Sequence, residues 1–169
     1  MSITMYSASV PVLVRALENL SHVLKKGEAH AEAKKIAPEV LLHTRLIPDM
    51  FPLVRQVQIA TDMAKGAAAR LAGTDPIKMD DNEASFADLY ARIDKVVAYV
   101  KSFTAAQIDG SEAREIVLPQ HTGDALKFPG QAYLLGFVMP NVYFHTMASY
   151  AILRSAGVEV GKMDYLGKP

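Results

Sequence analysis

Residues 131–157 read QAYLLGFVMPNVYFHTMASYAILRSAG, and the reading of this stretch decides the fold. It is long enough for a helix of many turns and is apolar nearly all round. A helix of that kind belongs in the interior of its domain. The pattern predicts a final helix from about Gly130 to Ala156, the most buried of the chain, with Gly157 as its C-terminal stop. Pro140 falls inside it. Proline removes a backbone hydrogen bond and clashes with the preceding turn, so a kink is expected there. Two polar residues, Asn141 and His145, stand four apart and therefore on one face of that helix.

A buried helix needs partners, and the sequence supplies them. Val10, Leu13, Val14, Leu17, Leu20 and Leu24 recur at helical spacing, which predicts a first helix starting near Ser9 with Pro11 in its opening turn. Gly27 should end or bend it, and residues 28–37 read as a short exposed helix or a continuation. A second long helix is expected from Pro52 to Leu71, capped by Asp49. Its Ala-rich face would let a neighbour approach closely. A third runs from about Ser85 to Phe103 on Phe86, Leu89, Ile93, Val96 and Val100. Between the third and last helices, Glu115–Pro119 and Ala125–Phe128 flank a turn at Gly123-Asp124, the pattern of a β-hairpin. A lone hairpin is marginal, so it must pack on the bundle or on a second subunit. After Gly157 the tail should be extended and packed by Val158, Met163, Tyr165 and Leu166. The expected fold is all-α: a four-helix bundle with a small β-hairpin before the last helix, one domain spanning residues 1–169.

Composition excludes several classes of function. Eighteen basic residues balance eighteen acidic ones, so no net field draws the chain to nucleic acid or an anionic membrane surface. There is no cysteine, which removes disulfides, thiol catalysis and zinc knuckles and fits a cytoplasmic chain. No segment reaches the roughly 18 apolar residues of a membrane span. No phosphate-binding glycine loop, G-x-S-x-G elbow or H-E-x-x-H motif occurs.

Candidate chemistry therefore rests on a few polar residues set among apolar ones. On the second helix Gln56, Gln58 and Asp62 interrupt the apolar pattern. Gln58 and Asp62 are four apart and share a face, whereas Gln56 and Gln58, two apart, do not. One of the two glutamines is thus expected inside and one at the surface. His145 reads as a buried imidazole bonded to Asn141, Gln58 or a backbone carbonyl, as a weak metal ligand, or as a metal-free acid–base group. Asn141 serves either a pocket or the backbone groups that Pro140 releases. His22 and His30 fall on charged stretches, His43 in a connection and His121 at the hairpin tip.

Three segments carry a family resemblance: MSITMYSASVPVLVRALENLSHVL at the start, PDMFPLVRQVQIATDMAKGAAARLAG at 48–73 and LLGFVMPNVYFH at 134–145. Together with Tyr150-Ala151-Ile152-Leu153-Arg154 and Gly157 they resemble the DinB-like superfamily. More closely, they resemble a bacterial family of DinB-like proteins described as a domain of unknown function. The resemblance implies a four-helix bundle, often a homodimer. It also implies a divalent metal such as zinc or nickel, held by one histidine of the second helix and an H-x-x-x-H pair of the last. Some relatives are thiol-dependent transferases or hydrolases. Only His145 matches that ligand set; Asn141 stands in the other place of the pair. The second-helix place falls at Gln56 or Gln58, and the spacing to Gly73 favours Gln58.

Three readings follow. The first is a small-molecule-binding or vestigial bundle without the metal set, its interior cleft lined by Gln58, Asn141, His145 and aromatic side chains. The second is a metal-dependent hydrolase or thiol transferase in which His145 binds metal with help from Asn141, Gln58 or Asp62. The third is a structural or dimerisation module.

Overall fold

A computed structural model describes residues 2–120 and 122–168. The chain runs α1 (Met5–Lys34), α2 (Pro38–His43), α3 (Leu53–Leu71), α4 (Phe86–Lys101), α5 (Ala105–Ile108), β1 (Glu115–Leu118) and β2 (Leu126–Pro129). Then follow α6 (Gly130–Ala132), a π-helical turn (Tyr133–Val138), α7 (Met139–Ser155) and α8 (Lys162–Leu166). The four long helices α1, α3, α4 and α7 form the bundle. Helices α1 and α3 each pack against both α4 and α7, which lie on opposite sides of that pair. The core is built from the expected stripes: Leu13, Leu17 and Leu24 of α1, Leu53 and Val57 of α3, Leu89 and Val96 of α4, and Val142 and Ile152 of α7. Ala60, Ala64, Ala67 and Ala68 of α3 are fully buried, and their small side chains let α4 and α7 close onto that helix.

Helix α1 starts earlier and runs further than its pattern suggests. Thr4 accepts from the Ser7 amide and Ser7 reaches back to the Thr4 amide, a reciprocal cap that starts the helix at Met5. Pro11 therefore lies within the helix rather than in its first turn. Gly27 neither ends nor bends it. It is buried where α1 meets α7, and an added Cβ would come within 2.8 Å of a Leu153 methyl. Helix α3 begins after Pro52 with no side-chain cap, so Asp49 does not fill the capping role. Ser85 caps α4 through a reciprocal bond with Asp88.

The hairpin pairs Glu115 with Pro129 and Leu118 with Leu126 in antiparallel register. Ile116 and Leu118 face the core, so the bundle itself supplies the hairpin's support. Its tip includes His121, which lies outside the described residues. Gly130 then leads into the last helix, so close to the Ser111 carbonyl that a Cβ would sit 2.0 Å from its oxygen.

The last helix departs from expectation in two ways. The irregularity expected at Pro140 precedes it, as the wider π turn over 133–138; Pro140 itself stands in the first turn of regular helix. The helix is also not buried all round: Tyr143, Phe144 and Met147 are exposed, Phe144 to 56%. The tail is not simply extended either. Val158 and Val160 are buried, but residues 162–166 form α8, with Met163 and Leu166 at the surface. Among the described residues no helix is long and apolar enough to cross a membrane.

Candidate functional site

The contact between α3 and α7 brings His145 onto Gln56. His145 Nδ1 lies 2.7 Å from Gln56 Oε1, with the two residues 7% and 1% exposed. Gln56 Nε2 donates to the Phe51 carbonyl at 3.0 Å. A carbonyl accepts only, so this second bond fixes which end of the amide faces the imidazole. Oε1 is thereby presented to His145, and an amide oxygen also accepts only. Nδ1 must therefore carry the proton. In the neutral ring Nε2 then holds the lone pair, and among the described residues it has no hydrogen-bond partner.

Electrostatics favour that neutral ring. Burial lowers the imidazole pKa below its ordinary value, and the positive charge of Arg55 lowers it further. Phe144 stands edge-on to the ring, with centroids 5.1 Å apart. The site is thus one neutral imidazole, held in a single tautomer by an interior amide and shielded on one side by an exposed aromatic.

Gln58 is not the partner of His145, contrary to the spacing argument. It is 5% exposed, so both glutamines are interior and the surface place predicted for one of them is not taken. Gln58 donates to Glu83 at 2.8 Å and accepts from Arg55 at 3.1 Å. Asp62, on the same face of α3, pairs with Arg92 at 2.8 Å and Lys65 at 2.9 Å. Arg92 is the centre of this group: its side chain is 1% exposed and also meets Glu83, Asp81, the Thr61 hydroxyl and the Asp80 carbonyl. The group ties the 72–85 connection to α3 and α4. Asn141 stays local, its amide donating to the Phe137 carbonyl at 2.7 Å beside the π turn. Among the described residues no hydrogen bond joins Gln58, Asp62, Asn141 or His145 to one another, so the single polar cleft expected from them is not assembled.

Gln56 was legible in principle. It falls three after Leu53 and four before Ala60, on the apolar stripe, whereas Gln58 falls four before Asp62. Arg55, Glu83 and Arg92 had no such signal, since a charged side chain is ordinarily solvated.

The donor set does not fit a three-histidine metal centre. Gln56 spends its oxygen on the imidazole and its nitrogen on Phe51, and the Asn141 amide is engaged with the backbone. One imidazole nitrogen is left where catalytic zinc takes three good ligands.

A crystal structure of a DinB family member from Shewanella denitrificans is similar to this chain, with 42% identity over 97% of this chain and 92% of that one and a TM-score of 0.87. The fold is that of a DinB-like helical bundle. Within that class, residues 5–166 match the family described as a domain of unknown function, DUF1993, and the chain belongs to it. No curated protein matches the chain.

Proposed function

We propose that this protein is a DinB-like bundle that binds a small molecule through a metal-free imidazole, His145, rather than a metal-dependent hydrolase or thiol transferase. The observation that carries this reading is the Gln56 amide on Nδ1. It leaves Nε2 as a neutral acceptor, suited to a ligand hydroxyl or amide, or to a ligand proton that must be held or moved. An apolar groove of about 590 Å³ runs along α7 between Leu46, Met50, Tyr143, Phe144 and Met147; His145 does not line it, but Phe144, whose ring abuts the imidazole, forms part of its wall. Metal analysis of protein purified without a histidine tag tests the proposal. No stoichiometric transition metal is expected. One tightly held metal per chain, lost on His145→Ala, overturns it.

The exposed face of α7 favours a second reading, a homodimer. Tyr143, Phe144 and Met147 lie beside Leu46 of the α2–α3 connection, and all four are exposed; Ile47 and Phe51 of that connection are exposed as well. Contiguous apolar surface of this kind marks an interaction site. Light scattering at micromolar concentration should give twice the chain mass, falling to one chain mass with Phe144→Glu. A clean monomer before substitution rejects this reading.

A further inference from the structure

A second cavity borders α7 next to the outer groove, with Tyr143 and Tyr165 in the walls of both. It has a volume of about 350 Å³ and opens between α1, α7 and α8. Its walls are Val12, Ala16, Leu20 and Val23 of α1, Tyr143 of α7 and Leu166 of α8. The space is partly open to solvent and its lining is mainly apolar. It falls at the small end of the range for ligand pockets, about 300–1,000 Å³.

The way α8 is held explains why the space stays open. Arg15, Asn19, His22 and Lys26 recur at helical spacing along one face of α1, and each holds the strap. Arg15 Nε and Nη2 donate to the Leu166 carbonyl at 3.3 and 3.0 Å, and Asn19 donates to the Tyr165 carbonyl at 3.1 Å. His22 and Lys26 meet the Asp164 carboxylate at 2.8 and 3.0 Å. These polar bonds fasten the strap by its backbone and by Asp164. Met163, Tyr165 and Leu166 line the space without filling it, and Met163 remains 64% exposed.

Arg15 belongs to the wall of the cavity and is the one Lys or Arg there. Among the described residues it has no carboxylate partner, and its Nη1 makes no hydrogen bond. A mainly apolar space with one exposed guanidinium at its rim, which has no carboxylate partner among the described residues, is complementary to a molecule with an apolar body and one anionic head. Guanidinium matches a carboxylate in both charge and planar geometry. One cation balances a monoanion and leaves a dianionic phosphate under-neutralised. We propose that this cavity binds a medium-chain carboxylate, its tail among Val12, Ala16, Leu20 and Val23 and its head on Arg15. The proposal is independent of His145.

Calorimetric titration of the full chain with hexanoate, octanoate and decanoate tests it. Saturable binding of one molecule per chain is expected, tightening by about fourfold per added methylene until the cavity is full. Decanol, which lacks the charge, should bind at least tenfold more weakly than decanoate. Arg15→Gln should reduce decanoate to the level of decanol. Ala16→Phe, which fills the chamber, should abolish binding of both while leaving the helical circular dichroism unchanged. Should Ala16→Phe fail to fold, Val12→Phe serves as the second filler. Absence of saturable decanoate binding, equal binding by Arg15→Gln, or undiminished binding by a folded cavity-filled variant would each overturn the assignment.

Discussion

Replacing Gln56 with leucine keeps the side chain's approximate volume and removes both of its hydrogen bonds at once. One orphan is the Phe51 carbonyl, at the margin of the α2–α3 connection, where water replaces the lost donor. The other is the Nδ1–H of His145, on a residue that is 7% exposed. A buried donor left without an acceptor costs about 1–3 kcal/mol, and the exchanged bond at Phe51 adds about 0.5–1.5 kcal/mol. The expected loss is thus about 1.5–4.5 kcal/mol, measured by urea denaturation. For a chain of this size that corresponds to a fall in Tm of about 3–18 °C. Stability also acquires a pH signature through His145. Burial, then Arg55, depresses its pKa, so the neutral ring's contribution is complete above the ordinary imidazole value of about 6.5. It is lost as pH falls through that value toward the lowered pKa of the folded state, because the unfolded chain takes up the proton first. His145→Gln should flatten the wild-type decline below about pH 6.5, whose slope can reach about 1.4 kcal/mol per pH unit. Nitrogen chemical shifts of the imidazole supply the second readout: the wild-type ring carries its proton on Nδ1, and Gln56→Leu should release that preference. A loss under about 0.5 kcal/mol together with an unchanged Nδ1–H tautomer would refute the reasoning.

Arg92→Met should cost about 3–5 kcal/mol by leaving the buried Glu83 carboxylate without its cation, while Asp62 keeps Lys65, and adding Glu83→Gln should recover part of it in the same denaturation assay. Gly130→Ala should lose about 3 kcal/mol or more by thermal unfolding, because its Cβ meets a backbone carbonyl at 2.0 Å that cannot rotate away. Gly27→Ala meets only the end of Leu153 at 2.8 Å, so the clash offsets a helix-propensity gain of about 1 kcal/mol and the net change should stay small. The Asp164 carboxyl pKa is held well below the usual range by the Gly161 amide, then His22 and Lys26, so the strap is anchored above the ordinary carboxylate pKa and released in strong acid. Asp164→Asn should raise amide exchange across Lys162–Leu166 at neutral pH while the exchange of α3 stays as before. Asn141→His should raise zinc or nickel affinity above that of the wild-type chain, measured by calorimetry, since it sets a second imidazole one turn from the free Nε2 of His145.

The bundle was legible because its main determinants are local and periodic. The stripes Leu13–Leu17–Leu24, Leu89–Ile93–Val96 and Leu53–Val57–Ala60 each specify a helix and the face it buries, and the paired runs around Gly123 specify the hairpin. What was not legible depended on tertiary contact. Gly27 reads as a stop by propensity, but α7 packs on it and the close approach to Leu153 outweighs the local preference. The start of α1 rested on Thr4 and Ser7, whose reciprocal cap lies outside any hydrophobic pattern. At the site, the sequence marks His145 and its helix but leaves Asn141, Gln58 and a backbone carbonyl open as its partner, and the spacing to Gly73 favours Gln58 for the second-helix place. The apolar phase of α3 selects Gln56 instead. The Arg92 group escaped because its members come from α3, α4 and the connection between them, with no spacing in sequence to relate them.

The last helix shows why apolar periodicity alone misplaces function here. Because α7 is apolar nearly all round, hydropathy cannot rank its faces; only the elements around it do. Successive residues turn by about 100°, so Phe144, His145 and Thr146 point in three directions. His145 turns inward to α3 and meets Gln56. Phe144, with Met147, faces outward beside the α2–α3 connection. Thr146, with Tyr143, borders the chamber under α8, where its hydroxyl lies 3.3 Å from that of Tyr165. Tyr143 and Tyr165 line both the outer groove and the chamber, so the wall between them is aromatic and shared. A ligand that displaced either tyrosine from one side would reshape the other. The imidazole lies behind Phe144 and lines neither space, while the groove and the chamber with its guanidinium are walled by shared residues of one helix and its strap.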